Sequence, residues 1–571
     1  MTGETGDAAP TNIGPSYPQH SGLEEPRVDV PLVSEVPVGR RHQARDRPQL
    51  LWYSLLGLII LVAAALRLYQ YLIGRSLWLD EAQLALNIER HGVAHLLTQS
   101  LELNQGAPAG FLLIERLAAD TLGKGEYALR AFPLFCGLVA IPLFVVLARR
   151  TLSPLAVPIA VVFFAASGPL IYYSSEVKWY ATDTMAALAI AVMSTMLIGE
   201  SVRLRRATVL GLLGALLIQL SFAAVIVAAA MGGVLFAVAA ASRRRDRLVA
   251  VLPTLALWAG SSLVFLLFYV KTLSNYDLAG GSVAVGGSLA GGSGSDLLRR
   301  SLHQLKELSA AAEIHHANRS PWTLVTVAVA LLAALGAVTL FRRRPLILTL
   351  LLAPGALVFV LGLAGKYSIL PRSILFVVPF VFLLSAEGIA AVARRLPARL
   401  APAFAVVVAA TFVIDFASFA SFHAGAPMRS EEIKDELAYA ARHWRAGDVL
   451  YIHHGAQYAF AYYADCGCFR LPRRMTLHAL WPVRDVTPAD PSYQFANVLV
   501  SQSPHVVIGK AFPTTYDSDI DRISRHKRAW VLVTWSTDRI MIRRDFDRQA
   551  RRLITRDHRG AQLYLYSFAP R

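Results

Sequence analysis

Long apolar runs separated by short polar segments make up most of the chain up to about residue 420. The runs Leu50–Leu66 and Leu324–Phe341 are typical, and a bilayer core about 30 Å thick takes roughly 20 apolar residues per helix. The pattern therefore predicts an all-α polytopic membrane protein with about eleven transmembrane helices. They are placed at 50–73, 127–148, 154–174, 179–199, 207–222, 224–241, 249–270, 321–341, 345–364, 372–391 and 399–421.

The segment Ala207–Ala241 is apolar over 35 residues, interrupted chiefly by Gln219 and Ser221. As a single helix it would be about 52 Å long at 1.5 Å per residue, far more than a bilayer core requires. We therefore predict two helices joined by a tight turn near Phe222. Gln219 is interpreted as a hydrogen-bonding contact between helices.

Arginine clusters indicate how these helices are oriented. The clusters lie at 40–47, 149–150, 203–206, 243–247, 342–344 and 394–399. With eleven spans and a cytoplasmic N-terminus, all of them fall on the cytoplasmic side, as the positive-inside rule requires. The same parity excludes a twelfth span at 108–122, so we predict a helix lying in the outer interface there.

This topology divides the chain into three regions. Residues 1–48 have no apolar run that could be a secretory signal, and their Pro, Gly, Glu and Ser content predicts a disordered cytoplasmic tail. Residues 49–421 form the transmembrane region, with outer loops at 74–126 and 271–320, the second Gly/Ser-rich and suited to a mobile loop. Residues 422–571 are predicted to be a soluble periplasmic α/β domain, because predicted helices at 429–445 and 538–553 alternate with short β-rich runs.

Charge and composition limit the classes of function that fit the chain. The formal charge of +17 would suit nucleic-acid binding, but the arginines lie between apolar runs, where topology accounts for them. We therefore predict no nucleic-acid partner. Of the 56 basic residues, 48 are Arg, a bias common in GC-rich bacterial genomes, and the predicted location is a bacterial inner membrane.

The topology gathers ionisable residues on the outer face. An ionisable group within a span costs about 2.5–3.5 kcal/mol on insertion scales, which makes it a functional candidate. Lys and Arg are unexpected in short outer loops. The residues concerned are Asp80, Glu81, Glu176, Lys178, Lys366 and Arg372, with Asp183 just inside the fourth span.

Two interpretations of Lys178 and Arg372 compete. Either cation could snorkel to the lipid headgroups from the outer end of its helix. Together with the acidic pair on the same face, they could instead bind a negatively charged ligand, and arginine binds phosphate bidentately. The combination favours the second interpretation.

The acidic pair in "RSLWLDEAQLAL" also has a structural interpretation. If "DEAQLALNIER" is a helix, Asp80 is its N-cap and Gln83 the N3 partner in a capping box. Leu84, Ala85 and Ile88 would then face the membrane. Adjacent residues on a helix do not face the same way, so at most one of Asp80 and Glu81 points into any one site. Spacing alone favours capping over catalysis.

Four short motifs, taken in order, resemble those of GT-C glycosyltransferases. They are "LWLDEA" in the first outer loop, "ALRAFP" opening the second span, "SSEVKWYATD" opening the fourth and "LPRSILFVVP" opening the tenth. The similar group contains protein O-mannosyltransferases, the lipid A aminoarabinose transferase and the lipopolysaccharide core galacturonosyl transferases. The topology of residues 50–421 is similar to theirs, and the stretch from Glu432 to Asp465 resembles the start of the soluble outer domain in bacterial members.

The resemblance implies transfer of a sugar from a polyprenyl-phosphate donor to an acceptor hydroxyl, with inversion. It makes Asp80 the general base, with Glu81 beside it in acceptor or site organisation. Many relatives have Arg at the position of Lys178, and lysine keeps the charge but loses the bidentate fork. The residues that would hold the lipid phosphate are Lys178, Arg372 and Arg130, and those that would line the site are Glu176, Tyr180, Asp183 and Lys366.

The sequence gives less information about partners and cofactors than about the reaction. The transferred sugar, hexose or pentose, is open, as is the acceptor, a glycan, lipid or protein. No metal-ligand cluster is evident: His315 and His316 read as loop residues, and Cys466 and Cys468 as a structural or oxidised pair or half a metal site. The sequence assigns no cofactor and leaves the need for a divalent cation open.

Two other functions compete with the enzyme. A transporter or flippase for a lipid-linked glycan would have broken or charged helices at mid-depth lining a path, whereas the ionisable residues here cluster at the outer mouth. A degenerate relative acting as a receptor or scaffold would have no need of both Asp80 and Arg372. The pattern therefore favours the enzyme.

Overall fold

A computed structural model of the protein describes residues 39–103, 105–198, 203–242, 245–272, 324–367, 369–370, 372–397, 399–404, 406–407, 410, 431–468, 505–509, 515–534, 539–558 and 560–568. Contacts divide the chain at Ser54, and the described residues before it form the first part of helix α1 (Gly39–Leu72). The tail predicted at 1–48 is therefore helical from Gly39. Most of the predicted loop 271–320, including His315 and His316, lies outside the described residues.

Apolar helices dominate the described chain as far as residue 393. Seven of them are long and apolar enough to cross a membrane, or eight if one bent pair counts as a single span. The polytopic helical membrane architecture is thus confirmed. After α1 come α2 Leu79–Arg90, α3 Val93–Thr98, α4 Ala109–Leu122, α5 Glu126–Thr151, α6 Ala156–Ala166, α7 Gly168–Tyr172, α8 Tyr180–Leu197, α9 Leu204–Leu220, α10 Phe222–Ala241, α11 Arg245–Thr272, α12 Leu324–Arg343, α13 Pro345–Leu363 and α14 Val378–Ala393, with 3₁₀ turns at Tyr173–Ser175 and Leu375–Val377.

Among the described residues, ten of the eleven predicted spans coincide with a helix given above. The predicted span 399–421 lies largely outside the described residues, and within it 401–404 are helical. The predicted span 154–174 is the bent pair α6 and α7, which turns by 58°. The predicted interfacial segment 108–122 is helical, as α4. The count of eleven spans stays a prediction.

The predicted break near Phe222 is confirmed, at Ser221, and a buried acid stabilises it. Ser221 lies between α9 and α10 in an extended conformation, and its Oγ accepts the Ala224 N–H at 3.0 Å. Asp183 Oδ1 accepts the Ser221 hydroxyl at 2.5 Å and the Ala223 N–H at 3.2 Å. Asp183, predicted to line the site, therefore serves to cap α10.

Helices α9 and α11 pack side by side through small and polar residues. Gln219 Nε2 donates to the Ser261 carbonyl and hydroxyl oxygens at 2.8 Å each. The predicted role of Gln219 as an interhelical contact is confirmed.

The centre of the bundle is formed by α8 and the segment Leu375–Ala393. In each, 83% of the most apolar window is buried inside the protein, compared with 22% for Trp52–Leu72 of α1 and for Arg245–Tyr269 of α11. Helices α5 and α10 flank α8. The first turn of α8 and the residues just before it therefore lie at the buried end of the central helix, next to the outer loops.

Glycines allow α12 and α14 to approach closely. A Cβ on Gly336 would overlap the Leu384 backbone, and a Cβ on Gly388 would overlap the Leu332 carbonyl. Small residues at such crossings let membrane helices pack backbone to backbone.

We predict that Gly388→Ala lowers the thermal stability of the purified protein, because the added methyl forces the two helices apart at a cost of about 1–3 kcal/mol. Gly233→Ala in α10 is the control, since a Cβ there meets nothing within 4 Å. Thermal unfolding followed by tryptophan fluorescence measures both. Equal melting temperatures for the two variants would contradict the tight crossing.

The chain ends in a mixed α/β domain, here called the C-terminal domain and comprising the described residues from Glu431 to Phe568. Its five-stranded sheet has the order β2-β1-β3-β5-β4, parallel from β2 to β3 and antiparallel from β3 to β4. The α/β prediction is confirmed. The strands are β1 Asp448–Ile452, β2 Val506–Ile508, β3 Arg528–Thr534, β4 Arg551–His558 and β5 Ala561–Ser567, and the helices are α15 Ile433–Arg442, α16 Gln457–Asp465, α17 Asp517–Ile523 and α18 Arg539–Gln549.

Two details of this domain differ from or complete the prediction. The helix predicted over 538–553 ends at Gln549, and Arg551 begins the edge strand β4, because this segment pairs with β5 in an antiparallel ladder. Cys466 and Cys468, directly after α16, are joined by a disulfide.

Candidate active site

The acidic pair lies in the first turn of α2, and Asp80 is two positions beyond the N-cap. The N-cap is Trp78, whose N–H donates to Glu81 Oε2 at 3.5 Å, so Glu81 occupies N3 and Asp80 occupies N2. The predicted capping box of Asp80 with Gln83 is therefore wrong. Because helical geometry begins at Leu79, the Asp80 side chain does not cap the helix.

The predicted membrane-facing stripe of α2 is also wrong. Leu84, Ala85 and Ile88 are fully buried inside the protein. Helix α2 packs against α4 on one side and against α16 of the C-terminal domain on the other. It is therefore an internal helix, and its first turn is held between the transmembrane bundle and the C-terminal domain.

Asp80 lies between two cations contributed by different parts of the chain. Lys178 Nζ donates to Asp80 Oδ1 at 3.0 Å, and Arg372 Nη1 donates to Oδ2 at 3.1 Å. Gln105 links two of these groups, donating to Asp80 Oδ1 at 3.3 Å and accepting from Lys178 Nζ at 2.6 Å. The structure thus brings together three of the predicted site residues from the first outer loop, the segment before α8 and the segment before α14.

Access to this cluster is graded. The Lys178 side chain is 2% exposed, that of Asp80 17% and that of Arg372 34%. The Arg372 guanidinium lies 5.9 Å from the centre of the Trp78 ring. A ligand approaching from outside would therefore meet Arg372 first, then Asp80, with Lys178 beneath them.

The charges in the cluster depend on one another. Burial raises the pKa of the Asp80 carboxyl, but the positive charges of Lys178 and Arg372 outweigh it and leave the pKa below its ordinary value. Burial likewise lowers the pKa of Lys178, and the Asp80 charge opposes that shift only in part. At neutral pH Asp80 is ionised and neutralised by its two partners.

Glu81 turns away from this cluster into a second one. Its carboxylate accepts from Arg75 Nη1 at 2.9 Å, Arg130 Nη2 at 2.7 Å and the Val177 N–H at 2.9 Å. Burial raises the pKa of Glu81, but Arg130 and Arg75 lower it below its ordinary value. Adjacent carboxylates thus point in different directions, in line with the expectation that at most one of them enters any one site.

Arg130 makes its hydrogen bonds within this second cluster. Besides Glu81, its guanidinium donates to the carbonyl oxygens of Arg75 at 2.6 Å and Ser76 at 3.3 Å, and the side chain is 2% exposed. A buried guanidinium with these partners has no free face for a ligand. The expectation that Arg130 holds the lipid phosphate stays a prediction, and in this structure its guanidinium is bound to Glu81 and to the loop carbonyl oxygens.

We predict that Glu81→Gln destabilises the protein by about 3–5 kcal/mol, because it leaves two buried arginines without an anionic partner. The measurement is the melting temperature and the yield of folded protein. Glu102→Gln serves as the control, since that side chain is 43% exposed and lies 3.7 Å from His91. Similar melting temperatures for the two variants would show that the buried cluster contributes little to stability.

The remaining predicted residues lie at different distances from Asp80. Glu176 is fully buried, accepts Trp78 Nε1–H at 2.7 Å, and has its pKa raised to about 7 by burial and by Glu81. Tyr180 opens α8, buried, with its ring 5.1 Å from that of Tyr173. Lys366 is exposed, and within the described residues its side chain makes no contact with this cluster.

Sequence reasoning missed several residues of the site. Gln105 lies in an outer-loop stretch without a recognisable motif, and Arg75 was not singled out although it is close to "LWLDEA". Glu431 and Glu432 contact the segment before α2 from the C-terminal domain, more than 350 residues away. Only the tertiary structure could reveal these contacts.

The arrangement suits anion binding and proton acceptance. Arg372 and Lys178 offer charge-assisted hydrogen bonds to an anionic ligand, and the Asp80 carboxylate can accept a proton when it is released from them. In the part of the chain that the structure describes, no group of three or more His, Cys, Asp and Glu residues could hold a metal ion.

No family model and no curated protein matches the chain. Solved structures similar to it include ArnT from Cupriavidus metallidurans bound to undecaprenyl phosphate, with 14% identity over 90% of this chain and 97% of that one and a TM-score of 0.48. The Archaeoglobus fulgidus oligosaccharyltransferase has 13% identity over 73% of this chain and a TM-score of 0.45, and this chain covers 62% of its length. Arabinofuranosyltransferase AftD from Mycobacteria has 15% identity over 90% of this chain and 41% of that one, with a TM-score of 0.36.

Proposed function

We propose that the protein is an integral-membrane glycosyltransferase that moves a sugar from a polyprenyl-phosphate donor to an acceptor hydroxyl, with inversion. The single observation that carries this proposal is the Asp80 carboxylate held between Lys178 and Arg372. A base and phosphate-binding cations are the two things the reaction requires, and here they are in contact. They also stand in the motifs that resemble GT-C enzymes.

Each residue has a defined part in the reaction. The bond between the sugar's anomeric carbon and the phosphate oxygen breaks, and the electron pair leaves with the anionic lipid phosphate. Arg372 and Lys178 stabilise that developing charge. The acceptor oxygen bonds to the opposite face of the anomeric carbon, and its proton passes to Asp80.

In the absence of donor, Asp80 is a weak base. Its pKa is lowered by the same two cations that we assign to the donor phosphate. A phosphate that accepts hydrogen bonds from Arg372 and Lys178 competes with Asp80 for them and removes part of that lowering. Donor binding therefore raises the basicity of Asp80, and the base becomes effective only when the sugar is in place.

Glu81 and Arg130 have a supporting part in this proposal. Their buried pair fixes the turn between α1 and α2, since Arg130 holds the carbonyl oxygens of Arg75 and Ser76. Neither side chain has an exposed face. We assign them to shaping the loop that carries Asp80 and not to contact with donor or acceptor.

Two observations support an outer, periplasmic location for the site. All six arginine clusters fall on the opposite side when eleven spans are counted. The Cys466–Cys468 disulfide in the C-terminal domain is typical of an oxidising compartment such as the bacterial periplasm. The site and the C-terminal domain are in contact, so both share one side.

The transporter alternative has some support from Arg67, a buried charge in α1, and from the bend between α6 and α7. Arg67 donates to the carbonyl oxygens of Ala63 at 2.9 Å and Phe164 at 3.3 Å. The cavity that Arg67 lines has a volume of about 10 Å³, which is room for roughly one water molecule. This space is too small to pass a glycan, and the enzyme remains the better account.

Mass spectrometry of lipid-linked sugars and surface glycans in a deletion strain tests the function. The proposal expects polyprenyl-phosphate sugar to accumulate and one residue to be missing from a glycan, lipid or protein. The accumulated lipid identifies the hexose or pentose, and the missing residue identifies the acceptor. A complete lipid-linked glycan trapped on the cytoplasmic side would overturn the proposal in favour of a flippase.

A further inference from the structure

Four consecutive backbone N–H groups lead into α2, and each of them donates to a side chain. The first N–H groups of a helix, and those just before it, have no carbonyl partner within the helix. Here the acceptors are Glu432 Oε1 for Ser76 at 3.1 Å, the Tyr463 hydroxyl for Leu77 at 2.8 Å, Glu81 Oε2 for Trp78 at 3.5 Å and Glu431 Oε2 for Leu79 at 3.0 Å.

Three of these four acceptors belong to the C-terminal domain. Glu432 holds Ser76 twice, since the Ser76 hydroxyl also donates to Glu432 Oε2 at 3.2 Å. Lys434 Nζ donates to the Gly74 carbonyl oxygen at 2.7 Å, at the beginning of the same segment. Side chains from the C-terminal domain therefore hold the segment at Gly74, Ser76, Leu77 and Leu79, and Glu81 holds it at Trp78.

The acids concerned are buried and conformationally constrained. Glu431 is 7% and Glu432 2% exposed, and Glu431 has φ +57°, a left-handed conformation that a residue other than glycine seldom adopts. Such strain persists only where the surroundings determine the conformation. Carboxylates beside a helix N-terminus also interact favourably with its positive end.

We propose that Glu431, Glu432 and Tyr463 are positioning residues for the Asp80 carboxylate. Glu431 accepts a hydrogen bond from the N–H of Leu79, and Asp80 is the next residue in the chain. The partners of Asp80, Lys178 and Arg372, come from other segments, so a shift of 76–79 moves the carboxylate relative to both. This inference rests on the function proposed above for Asp80, and it gives the C-terminal domain a part in that reaction.

The test combines kinetics with hydrogen–deuterium exchange on the full-length protein in nanodiscs. The probes are the purified polyprenyl-phosphate sugar and the acceptor identified from the deletion strain. The variants are Glu432→Ala, Glu432→Gln and Tyr463→Phe. The matched control is Asp435→Ala, three residues further along the chain, whose side chain is 55% exposed and pairs with His558 at 3.3 Å.

We expect kcat of Glu432→Ala to fall about 10- to 100-fold, since a displacement of about 1 Å at a reacting group costs this much. The KM for the donor should stay within about two-fold of wild type, because Arg372 is not part of the 76–79 segment. Glu432→Gln, which keeps one acceptor oxygen, should recover part of the loss. Exchange of the amides at 76–79 should rise in Glu432→Ala, and at Leu77 in Tyr463→Phe, but not in Asp435→Ala.

Unchanged amide exchange at 76–79 in both Glu432→Ala and Tyr463→Phe would overturn the inference, whatever the protein's activity. So would wild-type kcat in an active Glu432→Ala variant. Loss of kcat in Asp435→Ala to the same extent would also overturn it, because general disturbance of the domain would then explain the effect. If the wild-type protein transfers no sugar while the amides respond as expected, the proposed function fails and the anchoring contact stands.

Discussion

Asp80→Asn is expected to lower kcat for sugar transfer by about 10²- to 10⁴-fold, the usual contribution of a general base. Asparagine keeps the shape of the side chain and one acceptor oxygen, but it cannot take the proton of the acceptor hydroxyl. Donor affinity should stay the same or increase, because the cations no longer have an ionised carboxylate competing with the phosphate. The measurements are initial rates and direct donor binding to the purified variant.

Asp120→Asn is the matched control for this prediction. It is the same substitution in the same outer loop, on a side chain 49% exposed and paired with Arg116 one helical turn away. Its rate should equal that of wild type. Wild-type turnover in Asp80→Asn would remove Asp80 from the role of general base, and a fall in donor affinity would contradict the competition between Asp80 and phosphate.

Arg372→Ala is expected to reduce kcat/KM for the donor by about 10²- to 10³-fold, the range for loss of one group that stabilises developing negative charge. Arg372 is the most exposed cation of the cluster and would lose its hydrogen bonds to the phosphate. Arg372→Lys should recover part of the activity, because it keeps the charge without the planar fork. Lys124→Ala, which removes an exposed cation paired with Glu89, is the control and should behave like wild type.

The same variant should change the pH dependence of the reaction. Burial raises the pKa of Asp80, while Lys178 and Arg372 lower it. Removing Arg372 leaves burial opposed by one cation, so the pKa rises. Because Asp80 acts as a base only when ionised, the acid limb of kcat/KM, which reports the donor-free enzyme, should move to higher pH in Arg372→Ala. An unmoved acid limb would show that Arg372 does not influence the base.

Much of the transmembrane fold could be predicted from local pattern. The run of 35 apolar residues from Ala207 to Ala241 was too long for one span, and it breaks at Ser221 as expected. Membrane helices satisfy their backbone hydrogen bonds within one segment, so length and hydropathy suffice to locate them. The end of α18 was not predictable in this way, because β4 exists only by pairing with β5.

The predictions for the site divide in the same way, between features that local pattern shows and contacts that exist only in the tertiary structure. Topology was enough to place Asp80, Lys178 and Arg372 on one face, and the structure brings them within hydrogen-bonding distance. Capping rules placed the start of α2 at Asp80, whereas distant acceptors in the C-terminal domain allow the helix to begin at Leu79. The sequence near Asp80 gives no indication of those acceptors. The pairing of Arg130 with Glu81 could not be predicted either, since the sequence around a basic residue near an outer loop is the same whether it faces a ligand or a buried acid.

The contact between Ser76 and Glu432 also has a consequence for biosynthesis. The two residues are 356 positions apart, and at about 5–20 residues per second a ribosome needs roughly 20–70 s to make the intervening chain. During that time α1 and α2 have already emerged, but the amides of Ser76, Leu77 and Leu79 lack their acceptors from the C-terminal domain. The loop that carries Asp80 can reach its final conformation only after the chain has been made as far as Tyr463. An immature chain would therefore hold all four motifs in the membrane without a finished site.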